Sequence, residues 1–290
     1  MKLFIHCGLH KTATTSFQVL CKKNQNKLSE CGVYYPNYSN SFQHSHLLHD
    51  VQRQNIEVAK RFFAKVYSDA NPKCHTVLLS GEDFENCIVD LALANEIETA
   101  AENSGFESVT WIVVTRNQID LLKSLYAQKS QHGIVLEFEM MKNAALERGC
   151  LYATTVKYNY IFVLDYSRFE ARFKYGTSGN KIQIEYDDFL KGFVGRAIFA
   201  LMMSELELED FQKIAKFDEK RHNKRLSNLQ IEAKYLNTAL YSRRRTLLPL
   251  LPLLLVVYYW VMLRKIFKFV INLVPRSTKQ AIKKFLGLQT

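Results

Sequence analysis

Residues 2–16, KLFIHCGLHKTATTS, open with an apolar run and break into a loop rich in Gly, Lys, Thr and Ser. Residues 2–7 read as a short buried-type strand, and the helix-like SFQVLCKKNQNKL follows the loop. Strand, loop and helix in that order begin an open α/β sheet, whose ligands bind beyond the carboxyl ends of the strands. Backbone N–H groups, hydroxyls and an ammonium converging at a helix start suit a phosphate. An ordinary capped helix start also favours Thr and Ser. The loop is not a Walker A sequence, because Gly8 and Lys11 are only three apart and no glycine precedes the lysine. A nucleoside triphosphatase is therefore disfavoured.

Further along, TVLLS (76–80), VTWIVVT (109–115) and KIQIEY (181–186) read as strands. Residues 55–67 have helical spacing. Asn117 is placed to cap a helix with apolar positions at Ile119, Leu122 and Tyr126. Residues 189–203 and 227–240 also read as helical. Apolar runs alternating with helical patterns predict an α/β, three-layer fold, a parallel sheet flanked by helices. With no internal repeat and no low-complexity linker, the simplest division is a catalytic domain over 1–242 and an appendage over 243–290.

The charge map separates these parts. The net charge is +11, and 11 of the 39 basic residues fall in 233–290, where there is no Asp or Glu; the other 28 match the 28 acidic residues. A balanced globular part argues against a nucleic-acid partner. A basic, apolar, acid-free tail reads as a membrane-surface element. Six cysteines without a CxxC pair read as reduced thiols of a cytosolic protein, and the N-terminal apolar stretch is too short for a signal peptide.

FIHCGLHKTATTSFQ resembles the 5′-phosphosulfate loop of the sulfotransferases that use 3′-phosphoadenosine 5′-phosphosulfate (PAPS), in the bacterial form IHxGxHKTGTTSLQ. Ala13 stands where that family usually has Gly. If the position requires φ > 0, Ala costs on the order of 1 kcal/mol; if it is the first helical residue, nothing is lost. The resemblance implies a P-loop-like sulfotransferase fold. It also implies that Lys11 contacts the oxygen bridging phosphate and sulfate, while Thr12, Thr14, Thr15, Ser16 and nearby amides hold the 5′-phosphate. Gly8, His10 and Ala13 belong to the same loop, with His10 read as shaping it. Negative charge builds on the leaving phosphate oxygen during sulfuryl transfer, and a positioned cation stabilises it without a metal. VVTRNQIDLLKSLYAQ is similar to the family's 3′-phosphate signature, which assigns Arg116 and Ser124 to that phosphate. Guanidinium forks onto phosphate oxygens. The products implied are a sulfated acceptor and adenosine 3′,5′-bisphosphate.

Transfer also needs a group to take the acceptor's proton. YYPNYSNSFQHSHLLHD supplies His44, His46 and His49, and histidine is the usual base near neutral pH. The family alignment favours His44, with His46 second. Glu82, in LLSGEDF, matches a family stretch and is a candidate for the base or for binding acceptor hydroxyls. KIQIEYDDFL resembles a family strand near the nucleotide, and RHNKRLSNLQIEAKYLN a C-terminal loop and helix.

Residues 246–263 carry no charge and are flanked by Arg243, Arg244, Arg245 and by Arg264 and Lys265. That length is at the lower edge for a spanning helix, Pro249 and Pro252 interrupt it, and both flanks are basic. A helix lying in the interface, or a shallow re-entrant hairpin, fits better than a span, and the alternative is a buried helix closing the core of the catalytic domain. The expectation is a cytoplasmic enzyme peripheral to the inner face of a membrane, with a glycan or glycolipid acceptor and an anionic lipid surface as partners. The rivals are a P-loop-type kinase and a non-catalytic membrane adaptor of the same fold.

Overall fold

The computed structural model describes residues 1–217 except 39, 42, 132–137 and 155–158, together with Trp260. The chain divides into two compact units, Met1–Ile231 and Glu232–Thr290. The expected helix over 227–240 and all but one residue of the apolar, basic tail lie outside the described residues.

The first unit runs through β1 (Lys2–Gly8), α1 (Thr14–Lys23), α2 (Gln25–Glu30), β2 (Val33–Tyr34), α3 (Ser45–Gln54), α4 (Glu57–Asp69) and β3 (Thr76–Ser80). A 3-10 turn (Glu82–Glu85), α5 (Asn86–Val89), α6 (Leu91–Asn103), β4 (Ser108–Thr115), α7 (Gln118–Gln131) and α8 (Phe138–Arg148) follow. β5 (Cys150–Thr154), β6 (Asn159–Val163), α9 (Ser167–Gly176), β7 (Asn180–Glu185), α10 (Tyr186–Leu190), α11 (Arg196–Phe199) and α12 (Glu205–Ile214) complete it.

Five strands form one parallel sheet in the order β2-β3-β1-β4-β7, and β5 and β6 form a separate antiparallel pair. β1 is central: His6 pairs with Ser80 of β3, and Gly8 with Val114 of β4. β3 is buried along its whole length and β4 all but its first residue, as a sheet covered on both faces requires. Phe4, Leu78, Ile112, Val114 and Ile184 enter one core with Phe17 and Leu20 of α1 and with Phe189, Phe199 and Phe211. On strands of period two, Trp111 projects oppositely from Ile112, and its ring packs edge-on to Phe84 and Phe173. The three-layer α/β architecture follows from these two apolar faces.

Two helix expectations are corrected. SFQVLCKKNQNKL breaks at Asn24, whose Nδ2 donates to Leu20 O at 2.9 Å and whose Oδ1 accepts from Lys216 N at 2.8 Å. The single helix expected over 189–203 is instead the end of α10 and the short α11, because Gly192 and Gly195 take φ of 77° and 82°. Those values are left-handed and stop a right-handed helix. The expected cap is present: Asn117 Oδ1 accepts from Ile119 N at 3.0 Å and Asp120 N at 3.3 Å.

The order of strands positions a site. After β3 the chain passes over β1 to β4, so the connections leaving β1 and β4 diverge to opposite sides. The crevice between their carboxyl ends is where an open α/β sheet receives a ligand.

Candidate functional site

The crevice is lined from one side by residues 9–13. Gly8, the last residue of β1, leaves no room for a side chain, since a Cβ there would lie 2.5 Å from Thr14 Oγ1 and 2.8 Å from His6 Nε2. Lys11 and Ala13 have φ of 70° and 63°, left-handed values that cost an L-residue roughly 1–2 kcal/mol each. Ala13 therefore bears the strain that glycine would avoid. Residues alternating in hand turn successive amides to one side and form an anion-binding concavity. Thr12 closes the loop on itself: its amide and its Oγ1 both donate to Leu9 O, at 3.2 and 2.5 Å. Its hydroxyl is thus committed, and the role of phosphate ligand expected for Thr12 has no free hydroxyl to carry it. Thr14 is buried, while Thr15 and Ser16 are half-buried at the start of α1.

The N-cap of α1 is Ala13, with no side-chain cap and no acid in the first turn. An ordinary Ser or Thr cap is thereby ruled out. The positive end of the helix meets the loop without an internal anion.

Arg116, immediately after β4, enters from the other side of the crevice. Its Nη1 donates to Lys11 O at 2.9 Å, and its guanidinium lies 4.6 Å above the ring of Tyr186, the first residue of α10. The aromatic face holds one side of the guanidinium and leaves its edge for hydrogen bonds. Below it, Thr115 Oγ1 donates to Glu185 Oε1 at 2.9 Å, and Gln183 Nε2 donates to both. Ser124 is half-buried in the second turn of α7. Burial pulls the Lys11 ammonium below its usual pKa; Glu82 opposes this and Arg116 adds to it. Glu82 is therefore close enough for its charge to be felt at Lys11.

Glu82 begins the turn after β3, with its side chain 27% exposed. The same turn brings Asp83 and Glu85 beneath the loop. His10 Nδ1 hydrogen-bonds Glu85 Oε1, and His10 N donates to Glu85 Oε2 at 3.4 Å. His10 Nε2 lies 3.6 Å from Asp83 Oδ1 and 3.8 Å from Glu82 Oε2, and His49 Nε2 lies 3.0 Å from Asp83 Oδ2. Burial would lower the His10 pKa, but the charge and hydrogen bond of Glu85, with Glu82 and Asp83, raise it to about 9. Burial lifts the fully buried Glu85 to about 7 against the pull of His10. Burial also favours neutral Asp83, but the hydrogen bond from His49 and the charge of His10 hold it below the usual range.

The histidine expected to be the base sits elsewhere. His44 is 0% exposed; its Nδ1 accepts from Ser80 N at 3.0 Å and its Nε2 reaches Pro36 O at 2.9 Å. Nδ1 also lies 3.2 Å from Ser80 O, and burial lowers the pKa to about 4 against the pull of the Pro36 and Ser80 backbone. Both nitrogens are occupied, so no lone pair is left for an acceptor hydroxyl, and the geometry argues against His44 as base. His46 is exposed on α3. His6 is likewise buried and held uncharged by desolvation, at about 3, with Nδ1 2.9 Å from Ser80 Oγ. Sequence reasoning missed Asp83, Glu85 and Tyr186. The acids at 82, 83 and 85 and the aromatic ending KIQIEY were the only local signals.

No protein-family model matches the chain, and no curated protein matches it. Among solved structures, the crystal structure of a sulfotransferase from Alicyclobacillus acidocaldarius is similar, at 12% identity and a TM-score of 0.46 over 84% of this chain and 96% of that one. A likeness of that degree carries no argument about activity. The functional reading rests on the residues.

A groove of about 450 Å³ between β7 and α11, lined by Ile182, Ile184, Asp188 and Leu201 among others, shares Glu185 with this end of the sheet but no residue of the loop. Among the described residues, no group of His, Cys, Asp and Glu is arranged to hold a metal ion, and no helix is long and apolar enough to cross a membrane.

Proposed function

We propose that this protein transfers a sulfuryl group from PAPS to a hydroxyl of an acceptor, a glycan or glycolipid. The observation that carries the reading is the convergence of Lys11 and Arg116 on one crevice beside an uncapped, acid-free helix N-terminus. Glu82 offsets part of the positive charge of these two half-buried cations and the helix dipole, and a doubly phosphorylated nucleotide supplies a phosphate for each cation.

In this reading the curled amides of the loop, with the hydroxyls of Thr15 and Ser16, hold the 5′-phosphate. Arg116 and Ser124 take the 3′-phosphate, and Tyr186 keeps the guanidinium in plane for a forked contact. Lys11 stabilises the charge that builds on the leaving phosphate oxygen. Glu82, partly exposed and beside Lys11, accepts the acceptor's proton as the new O–S bond forms and the S–O bond to phosphate breaks. The electron pair of that broken bond leaves on the phosphate. Residues 243–290 hold the enzyme on an anionic membrane surface, a reading that rests on their composition alone.

The deciding experiment compares thermal unfolding with adenosine 3′,5′-bisphosphate and with AMP. At about 100 times its dissociation constant, the bisphosphate adds roughly 2.7 kcal/mol, and AMP adds far less. Equal shifts from the two nucleotides, or a larger one from ATP with magnesium, would overturn the assignment.

A further inference from the structure

Asp83 is 8% exposed, and its Oδ1 is buried without a hydrogen-bond partner. Its other oxygen is satisfied by His49. A buried carboxylate oxygen left without a donor is costly, and native structures keep one where water or a ligand completes it. The Ser45 side chain also acts on the Asp83 carboxyl; His10 Nε2 lies 3.6 Å from Oδ1, and Glu82 Oε2 lies 3.8 Å from the same nitrogen. These separations are too long for direct hydrogen bonds, and an oxygen seated beside the three atoms would bridge them. Glu85 fixes the ring from behind through Nδ1, so Nε2 presents a proton to the gap while both carboxylates present lone pairs.

A group that fits must accept one hydrogen bond and donate to the carboxylates. An anion is repelled by Asp83 and Glu82, whereas a hydroxyl satisfies both demands. One wall is aromatic: the Phe162 ring meets His10 edge-on at 4.6 Å, Tyr160 meets His49 at 5.3 Å, and the two β6 rings are nearly parallel. Asn86 pins β6 there, donating to Asn159 O and accepting from Ile161 N, each at 2.8 Å. Polar atoms opposite an aromatic wall suit a polyol whose carbon face is apolar.

We propose that the gap among His10 Nε2, Asp83 Oδ1 and Glu82 Oε2 is an acceptor subsite for a vicinal diol such as a sugar ring presents. One hydroxyl is anchored between His10 and Asp83. Its neighbour lies at the more exposed Glu82, beside Lys11, and is the one that reacts. The inference rests on the sulfuryl-transfer reading and adds to it the residues that hold the acceptor's hydroxyls. The buried anchor explains why Asp83 is held by His49 and why Glu85 stands behind His10.

The test offers ³⁵S-labelled PAPS to the full-length protein with trans-1,2-cyclohexanediol or with cyclohexanol, which differ by one hydroxyl. The wild type is expected to label the diol at least about tenfold faster at equal concentration, the scale of one hydrogen bond to a charged group. Asp83→Asn is expected to bring the two rates together while leaving affinity for adenosine 3′,5′-bisphosphate within about twofold. Equal labelling of the two alcohols by the wild type, no labelling of either, or a preference unchanged in Asp83→Asn would each overturn the subsite. The wild-type comparison decides even if the variant fails to fold. Failure of the donor reading is distinct, because the bisphosphate would then not bind at all.

Discussion

Arg116 and Lys11 are joined through the backbone: the guanidinium donates to the carbonyl of Lys11, 2.9 Å away, although the two residues stand 105 positions apart. The bond ties the end of β4 to the loop after β1 and helps hold Lys11 at its left-handed φ of 70°. It also sets two cations near each other, and the Arg116 charge contributes to lowering the Lys11 pKa. Glu82 outweighs that push at Lys11, and burial is the larger cause of the lowered value.

Replacing Arg116 separates the two roles. Arg116→Met is expected to weaken adenosine 3′,5′-bisphosphate binding by about 10–100-fold, the scale of a lost bond to a charged group. Arg116→Lys recovers only part of it, since an ammonium cannot fork or lie flat on Tyr186. AMP affinity changes much less. Calorimetric titration of both nucleotides checks this, and a lysine variant as tight as the wild type would remove the fork from the account.

Lys11→Ala is expected to reduce turnover by on the order of 100-fold or more. Bisphosphate affinity falls far less, because the 3′ contacts are untouched. Turnover is followed as loss of labelled PAPS under saturating donor; a rate near that of the wild type would exclude Lys11 from charge stabilisation.

At position 13 a stabilising change is expected. Ala13 has φ of 63°, so Ala13→Gly relieves left-handed strain and adds about 1 kcal/mol to stability. Ala13→Val costs more than the wild type, because a branched Cβ tolerates that region worse. Chemical denaturation of the three proteins gives the ranking, and an order with glycine below alanine would contradict the backbone reading.

The buried histidines set the pH dependence of stability. His6 and His44 have folded pKa values lowered to about 3 and about 4, so the unfolded chain takes up protons below its ordinary 6.5 that the folded chain refuses. Their contribution is lost as pH falls from 6.5 through about 4 for His44 and about 3 for His6. Glu85, raised to about 7, binds a proton in the folded state over part of this range and offsets one of the two. His10 works on the other limb. Its folded pKa of about 9 keeps a proton that the unfolded chain releases near 6.5, so its contribution is full below 6.5 and lost as pH rises through 9. The melting temperature is thus expected to peak near pH 6.5, with a flatter alkaline limb in His10→Gln. Carbon-13 spectra of labelled histidine rings give an independent reading, in which a His44 signal titrating between pH 6 and 7 contradicts its burial.

Removing residues 243–290 is expected to release the protein from membranes, and high salt to weaken attachment of the full chain, with about 1 kcal/mol per basic residue near an anionic surface. Sedimentation with vesicles with and without phosphatidylserine measures both effects. Binding that ignores lipid charge would leave the basic residues without that role.

What could be read from the sequence was local. Period-two and unbroken apolar runs placed β1, β3, β4 and β7 within about a residue, because side-chain alternation against a buried face is written into adjacent positions. The Asn117 cap needed only its neighbours, and the loop after β1 advertised itself by composition. The break of the helix over 189–203 turned instead on the conformations of Gly192 and Gly195, which composition alone did not reveal. The identity of the base lay further out of reach. His44, His46 and His49 stand in one polar stretch with equal chemistry, yet one is sealed against Ser80 and Pro36, one faces solvent, and one is bonded to Asp83. His10 acquires its charge from Glu85, 75 residues away. Burial and partnership decide protonation, and both depend on which distant strands the sheet sets side by side. The tertiary structure alone could therefore separate the histidines, commit Thr12 to closing the loop, and bring Asp83 and Glu82 to the edge of the Lys11 site.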